Sequence, residues 1–400
     1  MEKLAIHGGA RVRDRLMPPR KAFGSDEIDL IMELIQYYRD LSIDPPYQGR
    51  YEQEFCKEYV AHMGGVGYAD AVATGTGSVF VALEALELPK GSEVILPGVV
   101  DAGPLNCIIY QGLKPVIADT KSMSYNMGVE EFLAKVTKNT SAIIAVHCGG
   151  EPLEIDSIVR EAKCLGIKVL EDCSQAPGAR YKGGRVGTFG DISATSTMYR
   201  KSLTTGGSGG LIFSKNINLH QKGLSYADRG KALWKKDYDI RDPGSHLHPA
   251  LNWNSNELSC AIGIASLRRL DETIKNRKEY CESVARKLKE ISNVCRAYEF
   301  NHDYSPFFLP IMVDINKITC NKVEFALAVK AEGVDLNPDY KFLIQDWQWA
   351  KPFLPSGIDT PNAIKMRNTS FNLFVNENYS SKEVEDTVAA ILKVENYYVV

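Results

Sequence analysis

The sequence lacks the features that would place the protein in a membrane or on nucleic acid. No uninterrupted apolar run approaches the roughly 20 residues that a membrane span requires, and no basic start followed by an apolar segment predicts a secretion signal. The formal net charge of −3 provides no basic field that would gather nucleic acid or anionic lipid. These absences predict a cytoplasmic protein with no membrane partner and no nucleic-acid partner.

Cysteine pairs, metal motifs and repeats are also missing. The nine cysteines are odd in number and form no CxxC pair, which fits neither a disulfide framework nor a zinc cage. His246 and His248 alternate, but no third ligand follows at a usual spacing, so no metal site is predicted. What remains is a 400-residue chain of mean hydropathy −0.20, which is ordinary for a globular protein. Small-molecule chemistry is the class of function that these exclusions leave.

Apolar and helical segments alternate between about residues 68 and 214. This alternation is typical of βαβ units around a mostly parallel sheet. The predicted strands are Glu93–Leu96, Lys114–Ala118, Ser141–Val146 and Lys168–Leu170, and the predicted helices between them include Ser78–Leu86 and Ile155–Leu165.

The remainder of the chain predicts a second, smaller unit. The polar, Gly- and Asp-rich stretch 215–244 has the composition of a surface loop, and a long helical pattern follows over Asn256–Ile291. Short strands and helices then predict a mixed α/β lobe, with strand Phe307–Val313 and helices Cys320–Glu332 and Ser381–Val394. We therefore expect a large domain over residues 1–250 and a small C-terminal domain over residues 251–400.

Asp172 closes the apolar stretch Val169–Asp172. Ligands of open α/β sheets bind at the carboxyl ends of the strands, so this carboxylate is a candidate site residue. It could hold a cofactor ring nitrogen in its protonated form. A helix N-cap or a strand-end turn is the alternative interpretation.

Lys201 lies in the segment Ser196–Gly210, which ends in a glycine-rich run. Glycines there would let the backbone approach a ligand, and a desolvated lysine is a nucleophile toward an aldehyde cofactor. A solvated loop charge is the alternative.

Upstream of these two motifs, the segment Ala73–Ser78 leads directly into a helical pattern. The N–H groups exposed at the start of such a helix predict either a phosphate site or a plain N-cap.

Read in order, these segments resemble the DegT/StrS (DegT/DnrJ) family of sugar aminotransferases, which have the type I fold of aspartate aminotransferase. The resemblance covers about residues 23–394. Besides the candidate phosphate loop Ala73–Ser78, it includes EDCSQAPGARYKG, VGTFGDIS, RKSLTTGG and LNWNSNELSCAIGIASLRRLD. It implies pyridoxal phosphate (PLP) as the cofactor, an α/β fold with a mostly parallel central sheet, and a smaller C-terminal α/β domain.

The resemblance also assigns roles to individual residues. Lys201 would form the imine with the cofactor and shuttle the proton, and Asp172 would pair with the ring nitrogen. Gln175 would lie near the phenolic oxygen, and Asn252 would reach the cofactor of a neighbouring subunit, which implies a homodimer with shared sites. The expected phosphate contacts are Gly75, Thr76, Gly77 and Ser196.

Three positions depart from the family pattern. Asp101 stands where an aromatic ring usually stacks on the cofactor, and Asn254 stands where an arginine is common. The glycine loop after Lys201 is one residue longer than usual. The pocket beside the cofactor is therefore expected to differ from that of most relatives.

The function implied is the transfer of an amino group from an amino acid, glutamate in the family, to a keto or aldehydo sugar in amino-sugar or surface-polysaccharide biosynthesis, including that of lipopolysaccharide. The sugar could be nucleotide-linked, a keto-cyclitol or an oxidised octulosonate. Two alternatives remain: a sugar dehydratase of the same family, in which a histidine replaces the lysine, and a sensor that binds PLP or sugar without turnover. Candidates for the substrate pocket are Tyr47, Gln48, Arg229, His246, His248, Tyr340 and Lys341.

Overall fold

The computed structural model describes residues 2–235, 238–239 and 241–400. Its helices are α1 Ser25–Leu41, α2 Arg50–His62, α3 Gly75–Ala85, α4 Ala102–Tyr110, α5 Val129–Leu133, α6 Ile155–Leu165, α7 Ile217–Ala227, α8 Glu257–Arg268, α9 Leu270–Ile291, α10 Lys322–Ala331, α11 Pro361–Asn368 and α12 Ser381–Tyr398. None of these helices is long and apolar enough to cross a membrane.

The strands form two main sheets and a small hairpin. They are β1 Tyr68–Val72, β2 Glu93–Pro97, β3 Lys114–Ala118, β4 Thr140–Val146, β5 Lys168–Asp172, β6 Arg180–Tyr181, β7 Gly184–Arg185, β8 Ile192–Ser196, β9 Gly210–Ser214, β10 Cys295–Ala297, β11 Phe308–Val313, β12 Leu336–Asn337 and β13 Ser370–Phe374.

The large sheet has seven strands in the order β1-β9-β8-β5-β4-β2-β3. Only β9 runs antiparallel to its neighbours, so the sheet is mostly parallel as predicted. Helices cover both faces, which explains why a strand such as β4 is a continuous apolar run rather than an alternating one. Because the parallel strands point the same way, their carboxyl ends lie along one edge of the sheet.

The second sheet is antiparallel, in the order β10-β11-β13-β12. It packs with α9, α10 and α12 around its own apolar core. Leu4 and Val12 of the N-terminal segment belong to the same core, so the first residues of the chain pack on the C-terminal sheet. The division of the chain at residue 250 stays a prediction.

Two expectations about secondary structure are wrong. The stretch 215–244, expected to be a loop, contains α7, which Asn216 caps by accepting a hydrogen bond from Asn218 N at 2.9 Å; residues 236, 237 and 240 of that stretch lie outside the described residues. The single long helix expected over Asn256–Ile291 is two helices, because Arg269 leaves the helical conformation. The break lets α8 pack on α1 and α2 while α9 packs on α12.

Candidate functional site

A cavity of about 800 Å³ lies at the carboxyl edge of the large sheet, facing the second sheet. The segments that follow β1, β2, β5 and β8 all reach it, which is the position expected for a ligand in an α/β protein. Of the residues singled out from the sequence, those that line it are Gly75, Thr76, Asp101, Asp172, Gln175, Ser196, Lys201 and Tyr340. Residues from widely separated motifs therefore meet in one site.

Lys201 reaches the cavity from the loop between β8 and β9. Its Nζ lies 4.4 Å from the centre of the Phe307 ring. Burial lowers the pKa of this ammonium, and the negative charges of Asp172 and Asp101 oppose the shift. The lower pKa increases the share of neutral amine, which is the nucleophilic form.

Asp172 is the last residue of β5 and is 5% exposed. Its Oδ1 accepts a hydrogen bond from Ser174 N at 2.9 Å. Burial raises the pKa of this carboxyl, while Ser174 and the cation of Lys201 counteract it. A buried acid facing a cavity is suited to a partner that donates a proton or carries a positive charge.

Gln175 and Tyr340 form a second polar wall of the cavity. Gln175 Oε1 accepts a hydrogen bond from Gly149 N at 2.7 Å, so the amide is oriented and its Nε2 is directed toward Tyr340, whose hydroxyl lies 3.5 Å away. Tyr340 packs against the rings of Tyr125 and Phe308. The glutamine thus presents an N–H group to the cavity from a fixed position.

The start of α3 forms an anion cradle. Thr74 caps the helix by accepting a hydrogen bond from Gly77 N at 2.7 Å, which leaves the preceding N–H groups of Gly75 and Thr76 at the cavity. The backbone of Gly75 approaches so closely that a Cβ there would lie 2.4 Å from Ser196 Oγ. Helix N–H groups, a serine hydroxyl and the positive end of a helix dipole are the donors that a phosphate group requires.

Asp101 lines the cavity as the N-cap of α4, and its Oδ1 accepts a hydrogen bond from Gly103 N at 3.0 Å. The aromatic rings at the cavity come from elsewhere in the chain. Phe307 lies beside Lys201, and Phe342 joins the site because its carbonyl accepts a hydrogen bond from Val100 N at 3.1 Å. The cavity is therefore bordered by aromatic side chains of the C-terminal lobe.

The other predicted residues do not line this cavity of their own chain. Gly77 is buried under the Trp253 ring. Asn252 Nδ2 lies 3.4 Å from the Tyr47 hydroxyl, and the guanidinium of Arg229 lies 6.0 Å from the Tyr47 ring, so these three residues form one exposed group. The positions that likewise lie away from the cavity are Gln48, His246, His248 and Lys341. Their roles stay predictions.

Sequence reasoning missed several residues that line the cavity. Arg20 donates hydrogen bonds of 2.6 Å to the carbonyls of Tyr199 and Lys201, so the N-terminal segment holds the lysine loop. Arg277 of α9 is buried in an ion pair with Glu377. Asn372 of β13 also lines the site. No local motif marks these positions, because each reaches the cavity through long-range packing.

One cluster of side chains resembles a metal site, but hydrogen bonds within the protein already occupy its imidazole and carboxylate. Ligand atoms of His147, Glu171 and Cys173 lie within 4.8 Å of one another. His147 Nδ1 accepts a hydrogen bond from Leu153 N at 3.0 Å, so Nε2 carries the proton and donates it to Glu171. The Glu171 carboxylate also accepts three backbone N–H groups, including that of Gly187 at 2.8 Å. No imidazole lone pair remains for a metal.

The chain matches the DegT/DnrJ/EryC1/StrS aminotransferase family over residues 41–392. It belongs to that family. The residues at the cavity fit the family's cofactor, PLP, because an amine able to form an imine, a buried acid and an anion cradle lie at one site. The expectation that the chain is a PLP enzyme is confirmed.

Three proteins similar to this aminotransferase illustrate the match. GDP-perosamine synthase of Escherichia coli O157:H7 is 32% identical over 62% of this chain and 65% of the relative, so just under two thirds of that protein is aligned. The spore coat polysaccharide biosynthesis protein SpsC of Bacillus subtilis is 28% identical over 85% of this chain and 88% of its own. The solved aminotransferase of Psychrobacter cryohalolentis superposes with a TM-score of 0.86 at 25% identity, over 95% and 99% of the two chains.

These comparisons confirm the fold class and the enzyme class predicted from the motifs, and the names of the relatives agree with amino transfer to a sugar as the reaction class. They do not bear on the roles of single residues, which rest on the geometry described above.

Proposed function

We propose that this aminotransferase moves an amino group from L-glutamate to a keto or aldehydo sugar, with Lys201 as the nucleophile and proton carrier. The observation that carries the proposal is that Lys201, Asp172 and the N-terminus of α3 meet at one cavity. An amine, an acid and a phosphate cradle in this arrangement have no common use in a protein that only binds a sugar. The proposal is therefore a catalytic one.

Lys201 can act as the base because its surroundings favour the neutral amine. Burial lowers the pKa of its ammonium, and the Phe307 ring excludes water from one side of Nζ. Bound PLP would supply the electron sink for the substrate carbon that loses or gains a proton. Lys201 Nζ would take that proton from the substrate carbon and return it in the reverse direction.

Asp172 and Gln175 would orient the cofactor from two sides. Asp172, whose pKa is raised by burial, would regain the ionised form when a protonated ring nitrogen lies against it. The amide of Gln175 is held by Gly149 N and would donate from Nε2 to the phenolic oxygen. The backbone N–H groups of Gly75 and Thr76 and the hydroxyl of Ser196 would hold the phosphate.

We further propose that the active form is a homodimer. Ile28, Met32 and Ile35 form an exposed apolar stripe on α1, with Leu258 of α8 also exposed. The spacing of four and three residues places the stripe on one helix face, and such a face is usually covered by a partner. A second copy would also give a use to the exposed group of Tyr47, Arg229 and Asn252, which would reach the neighbour's cavity.

The sugar and its setting belong to the same proposal. Polysaccharide biosynthesis is supported by the name of the relative SpsC, and we extend the proposal to lipopolysaccharide biosynthesis and to a cytoplasmic location. The substrate contacts proposed are Tyr340 within the cavity and, across the dimer, Tyr47, Gln48, Arg229, His246, His248 and Lys341. Acceptors to be screened are GDP-4-keto-6-deoxymannose, the keto-cyclitol scyllo-inosose and an oxidised octulosonate.

Visible absorbance tests the proposal. Wild-type protein with PLP should show the absorbance band of a lysine-bound cofactor, and L-glutamate should convert it to that of the aminated cofactor. Lys201→Ala should bind PLP without the band, whereas the exposed Lys215→Ala should behave as wild type. Absence of the band, or no response to any amino donor, would overturn the transaminase and favour the sensor; loss of a sugar hydroxyl without amine incorporation would favour the dehydratase.

A further inference from the structure

The side chain of Asn372 is buried at the cavity without any hydrogen bond. Asn372 is 1% exposed, and neither its Nδ2 nor its Oδ1 has a partner. The residue lies in the middle of β13, where alternate side chains point to opposite faces of the sheet. Its neighbours in sequence, Phe371 and Leu373, pack into the core of the second sheet, so Asn372 is on the opposite face and lines the cavity.

Nearby polar groups are engaged elsewhere. The Tyr125 hydroxyl lies near the amide, but it bonds Ser370 Oγ at 2.9 Å, and Ser370 Oγ donates its own proton to Met366 O. Tyr125 must therefore donate to Ser370 and cannot also donate to Asn372 Oδ1. The Tyr125 oxygen can face the amide only as a weak acceptor for Nδ2, whereas Oδ1 has no donor in hydrogen-bond geometry among the described residues. On the adjacent strand, Asn337 Oδ1 accepts a hydrogen bond from Asp339 N at 3.1 Å. A buried amide without a well-formed hydrogen bond at either atom destabilises the folded protein, so a purely structural role does not explain it.

The chemistry of an amide restricts what can satisfy it. Nδ2 donates and Oδ1 accepts, so a complete partner must offer both an acceptor and a donor. A carboxylate offers acceptors alone and would face Oδ1 unfavourably. A sugar hydroxyl offers both, and two neighbouring hydroxyls can satisfy both amide atoms together.

We propose that Asn372 binds hydroxyl groups of the sugar acceptor and so determines which sugars this site accepts. The inference rests on the proposed function, because it assigns the amide to the half-reaction in which the sugar takes the amino group. The amino donor is bound without it, and the affinity for PLP is independent of it. Sugars that lack the recognised hydroxyl leave both amide atoms unpaired and are rejected.

Protein stability provides the first test and needs no substrate. Asn372→Leu replaces the unpaired amide by an apolar group of similar size, and its thermal midpoint should equal or exceed that of the wild type. Asn376→Leu is the matched control, because Nδ2 of Asn376 donates to Pro18 O and its Oδ1 accepts from Asn378 N, both at 2.9 Å. The control should lose a few degrees. A comparable loss in Asn372→Leu would overturn the inference.

Separate measurement of the two half-reactions provides the second test. In Asn372→Leu, the PLP titration and the conversion by L-glutamate should match the wild type, while kcat/KM for the accepted sugar falls by about 10- to 100-fold. An equal fall in the glutamate half-reaction would assign the amide to the donor instead and contradict the inference. Unchanged sugar kinetics would contradict it as well.

The two proposals fail in different ways. If wild-type protein transfers no amine to GDP-4-keto-6-deoxymannose, scyllo-inosose or an oxidised octulosonate, the proposed function fails. The comparison of Asn372→Leu with Asn376→Leu is independent of that outcome, because a drop in midpoint shows that the Asn372 amide is structural and overturns the inference, whereas no drop shows that the amide is free to bind a ligand. If wild-type protein does transfer amine to a sugar and only the sugar kinetics of Asn372→Leu are unchanged, the inference alone fails.

Discussion

Gly75 is the residue at which the anion cradle tolerates no side chain. A Cβ at this position would lie 2.4 Å from both Cβ and Oγ of Ser196. Gly75→Ala must therefore displace either the start of α3 or Ser196, at a cost of about 1–3 kcal/mol. We expect the dissociation constant for PLP to rise at least about 10-fold, measured by absorbance titration.

Gly207→Ala is the control for this change, since it lies in the lysine loop with no heavy atom within 4 Å of the added Cβ. It should bind PLP as the wild type does. Equal affinity in Gly75→Ala and Gly207→Ala would show that the start of α3 does not hold the phosphate.

His220 makes stability depend on pH. Burial lowers the pKa of its imidazole from 6.5 to about 4, and its Nδ1 has no hydrogen-bond partner. Between these values the unfolded state binds more protons than the folded state, so stability is complete above about pH 6.5 and falls as pH drops toward 4. His220→Phe, which keeps a ring against Tyr68, should flatten this part of the curve.

The measurement is urea unfolding at several pH values. His7→Gln, at an exposed position, is the control and should retain the wild-type slope. Parallel curves for wild type and His220→Phe between pH 6.5 and 4 would be incompatible with a buried neutral imidazole.

Among the ion pairs of α9, two lie in very different environments. Arg277 and Glu377 are 2% and 6% exposed, whereas Lys275 and Glu279 on the same helix are 73% and 63% exposed. Breaking the buried pair leaves an uncompensated charge, so Glu377→Gln should cost on the order of 3 kcal/mol of unfolding free energy. Glu279→Gln should cost less than about 0.5 kcal/mol.

Urea midpoints of the two variants test this difference directly. High salt should leave the effect of Glu377→Gln almost unchanged, because water and ions have little access to that pair. Similar small losses in both variants would mean that Arg277 finds another partner when Glu377 is neutralised.

The N-terminal segment links two elements that are far apart in sequence. Arg20 holds the carbonyl of Lys201, and Asn376 holds Pro18 O, so this segment bridges the lysine loop and the second sheet. The loop that carries Lys201 is therefore held by a residue some 180 positions earlier in the chain.

At the scale of the whole molecule, the proposed sharing of active sites between two subunits can be tested by complementation. If Asn252 serves the cavity of the neighbouring subunit, Lys201→Ala and Asn252→Ala are each inactive alone. A mixed dimer then has one intact site, composed of Lys201 from one subunit and Asn252 from the other. The isolated mixed dimer should therefore have about half of wild-type activity, and an unfractionated mixture formed by random pairing about a quarter.

Coexpression of the two variants with different affinity tags, followed by isolation of the mixed dimer, tests this expectation. Lys201→Ala coexpressed with a second Lys201→Ala chain is the control and should recover nothing. Failure of the isolated mixed dimer to recover activity would place Asn252 outside the neighbour's site.

Much of the site could be predicted because its chemistry lies in short motifs at strand ends. Asp172 ends β5 and Ser196 ends β8, and parallel strands necessarily bring their carboxyl ends to one edge. Lys201 and Gly75 follow from the same rule. Motifs of local sequence, through the family that they resemble, were thus sufficient to predict the fold class and the cofactor, and several of the residues that they contain line the cavity.

Positions that depend on packing could not be predicted in this way. Arg269 looks like any polar residue of a long helix, yet the helix breaks there because α8 and α9 pack on different partners. Arg20, Arg277 and Asn372 are polar residues without a motif, and nothing local distinguishes them from surface positions.

The sequence by itself therefore determined the chemistry of the large sheet, since strand-end motifs depend on local order and on the direction of parallel strands. Only the tertiary structure decided which side chains form the opposite wall of the cavity. Those side chains come from the N-terminal segment, α9 and β13, and long-range packing, which leaves no periodic signal in the sequence, brings them together.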